Sequence, residues 1–249
     1  MDNQYDLDQL RRSKEDLEQL VAQHFKSNNQ QTLLPKKLED EFWAFNIDRT
    51  RVNAIQFFGQ GVITYTIFVL LILPSNYFVL RESPHFVLDF IYSILSLIVV
   101  GAALFLFWAF SRFRNLRAFF YPAACTIVFF TIVLTSSLMI GVSNVVLQNQ
   151  AMVLVAFLYM LGFILSGIKP LHMLWIGSFA AIVSLFFLYF LNIPYDLLMI
   201  GRTFIGSLLL GFSISVMLNS KEQRIFIKSK ISEIDEKILR LQASELLHL

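Results

Sequence analysis

Residues 154–165 read LVAFLYMLGFIL, an apolar run in which polar and apolar positions do not alternate. A strand of a membrane barrel alternates at every second residue over about ten residues, so this run is helical if it lies in lipid. It sits inside an uncharged stretch from Ala151 to Ile168. A helix crosses a bilayer with about 20 mostly apolar residues. Five more stretches of this kind surround it, at about Ala54–Leu73, Phe86–Phe110, Ala118–Ile140, Met173–Leu191 and Leu197–Leu218. The first is expected to stop at Pro74. In hydrocarbon every backbone group must find its partner within the segment, so all six are expected to be helices. Composition agrees: 56% of the 249 residues are hydrophobic, only 15% are charged, and mean hydropathy is +0.63. Those values exclude disorder and a disulfide scaffold, and they are unlike those of most soluble enzymes.

Lysine and arginine set the expected orientation, because cytoplasmic flanks carry the excess. One set of flanks holds Lys36, Lys37, Arg49, Arg51, Arg112, Arg114, Arg117, Lys169, Lys221, Arg224, Lys228 and Lys230, twelve in all, against Arg81 and Arg202 on the other. Both termini are therefore expected in the cytoplasm, and the loops near 74–85, 141–150 and 192–196 outside. Trp108 and Trp175 fall near the inner interface, and Tyr77, Tyr189 and Tyr195 near the outer one, as an aromatic belt would. The N-terminus lacks the basic start and apolar stretch of a cleavable signal peptide. The fold class is an all-α integral membrane protein. Residues 1–50 form cytoplasmic N-terminal amphipathic helices, 51–218 a six-helix bundle, and 219–249 a cytoplasmic coiled-coil helix.

In residues 1–50, Leu7, Leu10, Leu17, Val21 and Phe25 recur at roughly helical spacing. SNNQQ (27–31) then breaks the pattern, and Pro35 opens a second short helix with Leu38, Phe42 and Phe45 on one face, expected along the inner membrane surface. In the tail, Ile227, Ile231, Ile234, Ile238 and Leu241 are spaced 4, 3, 4, 3, which is a coiled-coil seam. Glu245 interrupts it, and Leu239, Leu246 and Leu249 suggest a shifted seam, as a stutter would give. A monomer leaves the isoleucine stripe exposed unless residues 1–50 cover it; parallel dimerisation is the expectation. A helix continuous from the sixth span into the tail has the geometry of a signal-transmitting stalk.

The sequence carries no Gly-Gly pair, P-loop, HExxH or GxSxG. One cysteine, Cys125, excludes an intrachain disulfide and a cysteine-based zinc site, and His24, His85, His172 and His248 lack metal-ligand spacing. No catalytic residue, metal, cofactor or nucleic-acid partner is expected. Ser207, Gly211 and Ser215, at i, i+4 and i+8, are a helix-packing stripe, either within the bundle or between copies. Asp89 and Arg202 are the charges well inside spans, about one turn from the outer end. Such charges are costly. Three readings stand: snorkelling to the interface, an ion pair between the second and sixth spans, or a ligand-sensing site rimmed by Arg81, Glu82 and His85.

The order LPKKLEDEFWAFNIDRTRVNAIQFFGQGVITY (34–65), Arg81 after the first span, six spans and SKEQRIFIKSKISEIDEK resembles the membrane-sensor region of bacterial GGDEF diguanylate cyclases with six spans. Arg224, Ile225, Phe226 and Ile227 stand where that group has a segment running as a coil into its cyclase domain. Similar modules precede class III adenylate cyclases. The resemblance implies a sensor in the bacterial inner membrane, partnered by the lipid bilayer and by a second copy. It would relay a stimulus through the sixth helix and the coil to a cyclase domain in cis, or to a partner protein, in cyclic di-GMP signalling. The nucleotide and metal residues of that domain have no counterparts here, since the chain reaches LLHL about where it would begin. The rival expectations are a small-solute transporter or channel and a non-enzymatic membrane scaffold.

Overall fold

A computed structural model describes residues 2–26, 35–190 and 196–247, with side chains described within 7–19, 35–190 and 196–243, Leu197 apart. The expected break at 27–31, the loop at 191–195 with Tyr195, the side chains of Val21, His24, Phe25, Glu245 and Leu246, and His248 and Leu249 lie outside them. The elements are α1 (Asp2–Lys26), α2 (Lys36–Gln56), α3 (Phe58–Leu80), α4 (Phe86–Arg112), a 3-10 segment (Arg114–Phe119), α5 (Phe120–Ile140), α6 (Val145–Leu165), α7 (Pro170–Phe190) and α8 (Leu197–Leu247). Among the described residues there is no strand. Helices α3 to α8 are the six that are long and apolar enough to cross a membrane, the fold of a multi-pass membrane protein. Their outward side chains are large and apolar: Leu71 is 68% exposed, Phe186 64% and Trp175 75%. Water would not tolerate so continuous an apolar surface, and lipid does.

Several span limits differ from those expected, each for a local reason. Helix α3 runs through Pro74 to Leu80 instead of stopping. Proline removes one intrahelical hydrogen bond. The turn beyond it is held by packing: Leu80 is fully buried in a cluster with Val142 and Leu147, and the Asn76 amide donates to Ser93 Oγ at 2.6 Å. Helix α6 begins at Val145, before Ala151, because Asn144 caps it, its side chain accepting from the Val146 and Leu147 backbones at 3.0 and 3.3 Å. Such a cap satisfies amides that the first turn leaves orphaned. Gln148, in that first turn, donates to the Ile140 and Val142 carbonyls at 3.0 and 2.7 Å. Helix α7 starts at Pro170, the position where a missing N–H costs nothing. Helix α2 reaches Gln56, and only Phe57 separates it from α3.

The chain divides into two compact units, Phe45–Val216 and Met1–Ala44 with Met217–Leu249. In the first, α5 packs against α4, α6 and α7, and α3 packs against α4. The share buried follows that order: 39% for the span containing α5 and 6% for α3. The core comprises Ile132 of α5, Val155 and Tyr159 of α6, Met173 and Leu188 of α7, and Phe204 of α8. The Tyr159 hydroxyl donates to the Gly177 carbonyl at 2.9 Å, so the ring is buried without an orphaned polar end. Small residues bring the backbones close. A Cβ on Gly177 would meet Leu208 at 2.6 Å and Tyr159 at 2.9 Å.

The second unit is built from α1, the start of α2 and the later part of α8. Phe42, Trp43, Phe226 and Ile227 are buried together, with Leu17, Leu38 and Ile231 packed around them. The Phe42 and Phe226 rings meet edge to face at 5.7 Å. On α1 the inward face is Leu7, Leu10, Lys14 and Leu17. Leu17 belongs to the Ile227 cluster while Lys14 reaches Asp235, so α1 runs antiparallel to α8.

Candidate functional site

Asp89 is the carboxylate that the sequence singled out in the second span, and it is fully buried. It lies in the first turn of α4, where the positive end of the helix dipole favours a negative charge. One carboxylate oxygen accepts from Ser83 Oγ at 3.0 Å and the other from the Ser143 backbone N–H at 2.9 Å. Ser83 belongs to the link between α3 and α4, and Ser143 to the link between α5 and α6. Asp89 is therefore a latch that ties two helix hairpins at one end of the bundle. Hydrogen bonds to a charged acceptor are the strong ones, about twice a neutral pair.

The other residues expected around it do not converge on it. Arg81 and Glu82 are exposed and pair with each other at 3.6 Å, and the Arg81 guanidinium lies 5.6 Å from the centre of the Phe78 ring. His85 is exposed on the same link. Arg202, in the second turn of α8, is exposed, and among the described residues no ion pair joins it to Asp89. The residues expected to form a rim are exposed side chains apart from Asp89, whose buried carboxyl group is satisfied by loop donors.

The helix-packing stripe has a definite seat. Ser207, Gly211 and Ser215 are all buried within the bundle. Ser215 Oγ donates to the Phe163 carbonyl of α6 at 3.2 Å, and a Cβ on Gly211 would collide with the Phe163 ring. The neighbour that Gly211 and Ser215 admit is α6 of the same chain, while the Ser207 hydroxyl donates to the Thr203 carbonyl of its own helix.

The seam residues lie in the other unit. Ile227 is fully buried and Ile231 packs on the same cluster, while Ile234, Ile238 and Leu241 are half-buried. Residues 1–50 pack on the first part of the stripe, where Leu17, Leu38, Phe42 and Trp43 gather around Ile227 and Ile231. Charges frame the contact. Lys14 Nζ donates to Asp235 Oδ1 at 2.6 Å and also meets Glu18 at 3.7 Å, and Lys230 meets Glu41 at 3.3 Å. The hydrogen bond to Asp235 raises the Lys14 pKa above its ordinary value. The hydrogen bond from Lys237 and its charge lower that of Glu233 below the usual carboxylate range.

At the opposite end of the bundle from Asp89, Asp48 of α2 holds Arg51 at 2.8 Å and Arg117 at 2.6 Å. The Tyr121 hydroxyl lies 2.7 Å from His172 Nδ1 and accepts from the Lys169 backbone at 3.3 Å. Between α6 and α7, Gly167 takes φ +67° against Thr50, a conformation that glycine alone adopts freely. Among the described residues no three of His, Cys, Asp and Glu gather to hold a metal ion.

Sequence reasoning missed Ser83, Ser143 and Trp43, and it named Phe226 only through the resemblance, not as a core residue. Ser143 acts through its backbone, which leaves no residue signal. Phe226 sits one position before the isoleucine stripe, and only its partner Phe42 shows why it is buried. Compared with family models, curated proteins and solved structures, the chain matches none.

Proposed function

We propose that this chain is a membrane-anchored sensory module that relays a stimulus from its six spans through α8 to a cytoplasmic output. The observation that carries the reading is the length of α8: one helix of 51 residues, from Leu197 to Leu247, contributes to both compact units. A helix rises 1.5 Å per residue with a hydrogen bond at nearly every position, so a shift or rotation begun among the spans is passed along it. Lysine and arginine bias supports cytoplasmic termini, an orientation in which the Asp89 end faces outward, where a stimulus arrives. Arg81, Glu82, His85 and Arg202 are the exposed polar groups that such a stimulus meets first. The output, by the resemblance to sensor regions of diguanylate cyclases of the bacterial inner membrane, is a cyclase domain in cis or a partner protein that makes cyclic di-GMP. That output works as a pair, so the relay changes how two copies approach. A stimulus shifts the equilibrium only by its differential affinity for the two states, a few kcal/mol being enough.

The test is a fusion of a diguanylate cyclase domain after Leu249, with product formation measured in membranes. The account expects the rate to change when the Asp89 latch is removed, and to change again when α3–α7 are replaced by an unrelated anchor. A rate indifferent to both would contradict it.

A further inference from the structure

The stripe on α8 fits the heptad pattern with Ile231 and Ile238 at a and Ile227, Ile234 and Leu241 at d. That register puts Lys230 at g and Asp235 at the following e. In a parallel two-stranded coil, g of one helix faces the next e of its partner. Lys230 of each copy would then reach Asp235 of the other, an attractive pair formed twice. In the single chain both charges are already taken: Asp235 by Lys14 of α1 at 2.6 Å, and Lys230 by Glu41 of α2 at 3.3 Å.

We propose that α1 is an intramolecular cover of the α8 seam, competing with α8 of a second copy of this chain for the same isoleucine stripe and the same charges. The cover is the poorer match. It offers Leu7, Leu10 and Leu17 but sets a charged Lys14 in the middle of its inward face, and it leaves Ile234, Ile238 and Leu241 half-exposed. A second α8 presents isoleucine or leucine at every seam position. Ile227 is held more firmly, by Phe42 and Phe226, so the contested part of the seam runs from Ile231 to Leu241. The geometry makes the coil of the proposed relay, on whose dimeric form this inference rests, a switch between a covered and a paired state.

The full chain in nanodiscs or detergent, sized by native mass spectrometry across a dilution series, tests this with four variants. Lys14→Glu repels Asp235 within the chain and leaves the Lys230–Asp235 pair between copies intact. The dimer-to-monomer ratio should rise, by about fivefold, the scale of one partly exposed ion pair. Leu7→Glu detaches α1 without touching α8, and the ratio should rise further. Asp235→Lys breaks the pair between copies as well as the cover, so its ratio should stay at or below that of Lys14→Glu. Lys14→Glu with Asp235→Lys restores the cover with reversed charges and still sets like charges between copies, and it should be the most monomeric of all. Equal ratios in Lys14→Glu, Leu7→Glu and the unaltered chain would overturn the cover while leaving dimerisation standing. Monomers in every arm would remove the seam as a self-association surface, and with it both the competition and the dimeric form of the relay.

Discussion

Helix α8 is held in two different ways along its length. From Ser207 to Ser215 it is packed tightly in the bundle: Leu208 lies against Gly177 of α7, the Phe163 ring of α6 sits where a Gly211 Cβ would go, and Ser215 donates to the α6 backbone. That contact has no slack: interiors are packed to crystal density, and a single added methylene is felt. From Ile231 to Leu241 the same helix is held by half-buried isoleucines and by charges on surface-facing side chains; Lys14 is 30% and Asp235 43% exposed. Contacts of this second kind exchange for others of similar worth at little cost. Close packing suits a helix that must follow its neighbours, and loose, charge-framed packing suits one that must let go.

The largest effect should come from the tight region. Gly211→Leu drives a side chain into the Phe163 ring. Over-packing of this kind costs about 3 kcal/mol, toward the upper end of its range, and should appear as a lowered unfolding midpoint in detergent. A midpoint within error of the unaltered chain would erase the contrast. Next comes the latch. Asp89→Ala leaves the Ser83 hydroxyl and the Ser143 N–H without their acceptor, at a cost of about 2 kcal/mol for the orphaned donors. Hydrogen exchange should quicken in the 81–85 and 141–144 links and not at Gly162 or Gly177. The loose region should respond least. Lys230→Ala removes an exposed pair with Glu41, worth below about 1 kcal/mol, and the unfolding midpoint should hardly move.

The pH response sharpens the same contrast. Lys237, by hydrogen bond and charge, lowers the Glu233 pKa in the folded chain relative to the unfolded one. Its contribution is therefore present above the ordinary glutamate pKa and is lost as pH falls through the lowered value. Exchange protection around residues 230–240 should decline between about pH 5 and pH 3, while the Ser207–Ser215 stretch, free of titratable groups, should keep its protection. Equal loss in both stretches would show that they are not held differently.

Much of this was legible in the residues. Apolar runs such as 154–165 announce spans because lipid leaves the backbone no partner outside its own helix. Ser207, Gly211 and Ser215 were readable as a packing stripe from spacing, but not the identity of the neighbour, which depends on how the helices are ordered in space. Pro74 misled, since its lost hydrogen bond is a local cost and the packing of Leu80 and Asn76 that outweighs it is tertiary. Asp89 was conspicuous as a charge among apolar residues, but its donors, a hydroxyl and a backbone amide from separate links, have no pattern to read. The isoleucine stripe was plain; that α1 lies beside it depends on an antiparallel pairing between residues more than 200 positions apart, as in the bond from Lys14 to Asp235.

The proposed relay requires α8 to be one unbroken helix from Leu197 to Leu247. Hydrogen–deuterium exchange over residues 213–223 in nanodiscs tests it most directly. The account predicts protection that continues through Val216 to Ser220 at the level of the turns on either side. Fast exchange confined to those residues would mean a hinge there, and a hinge would contradict the relay.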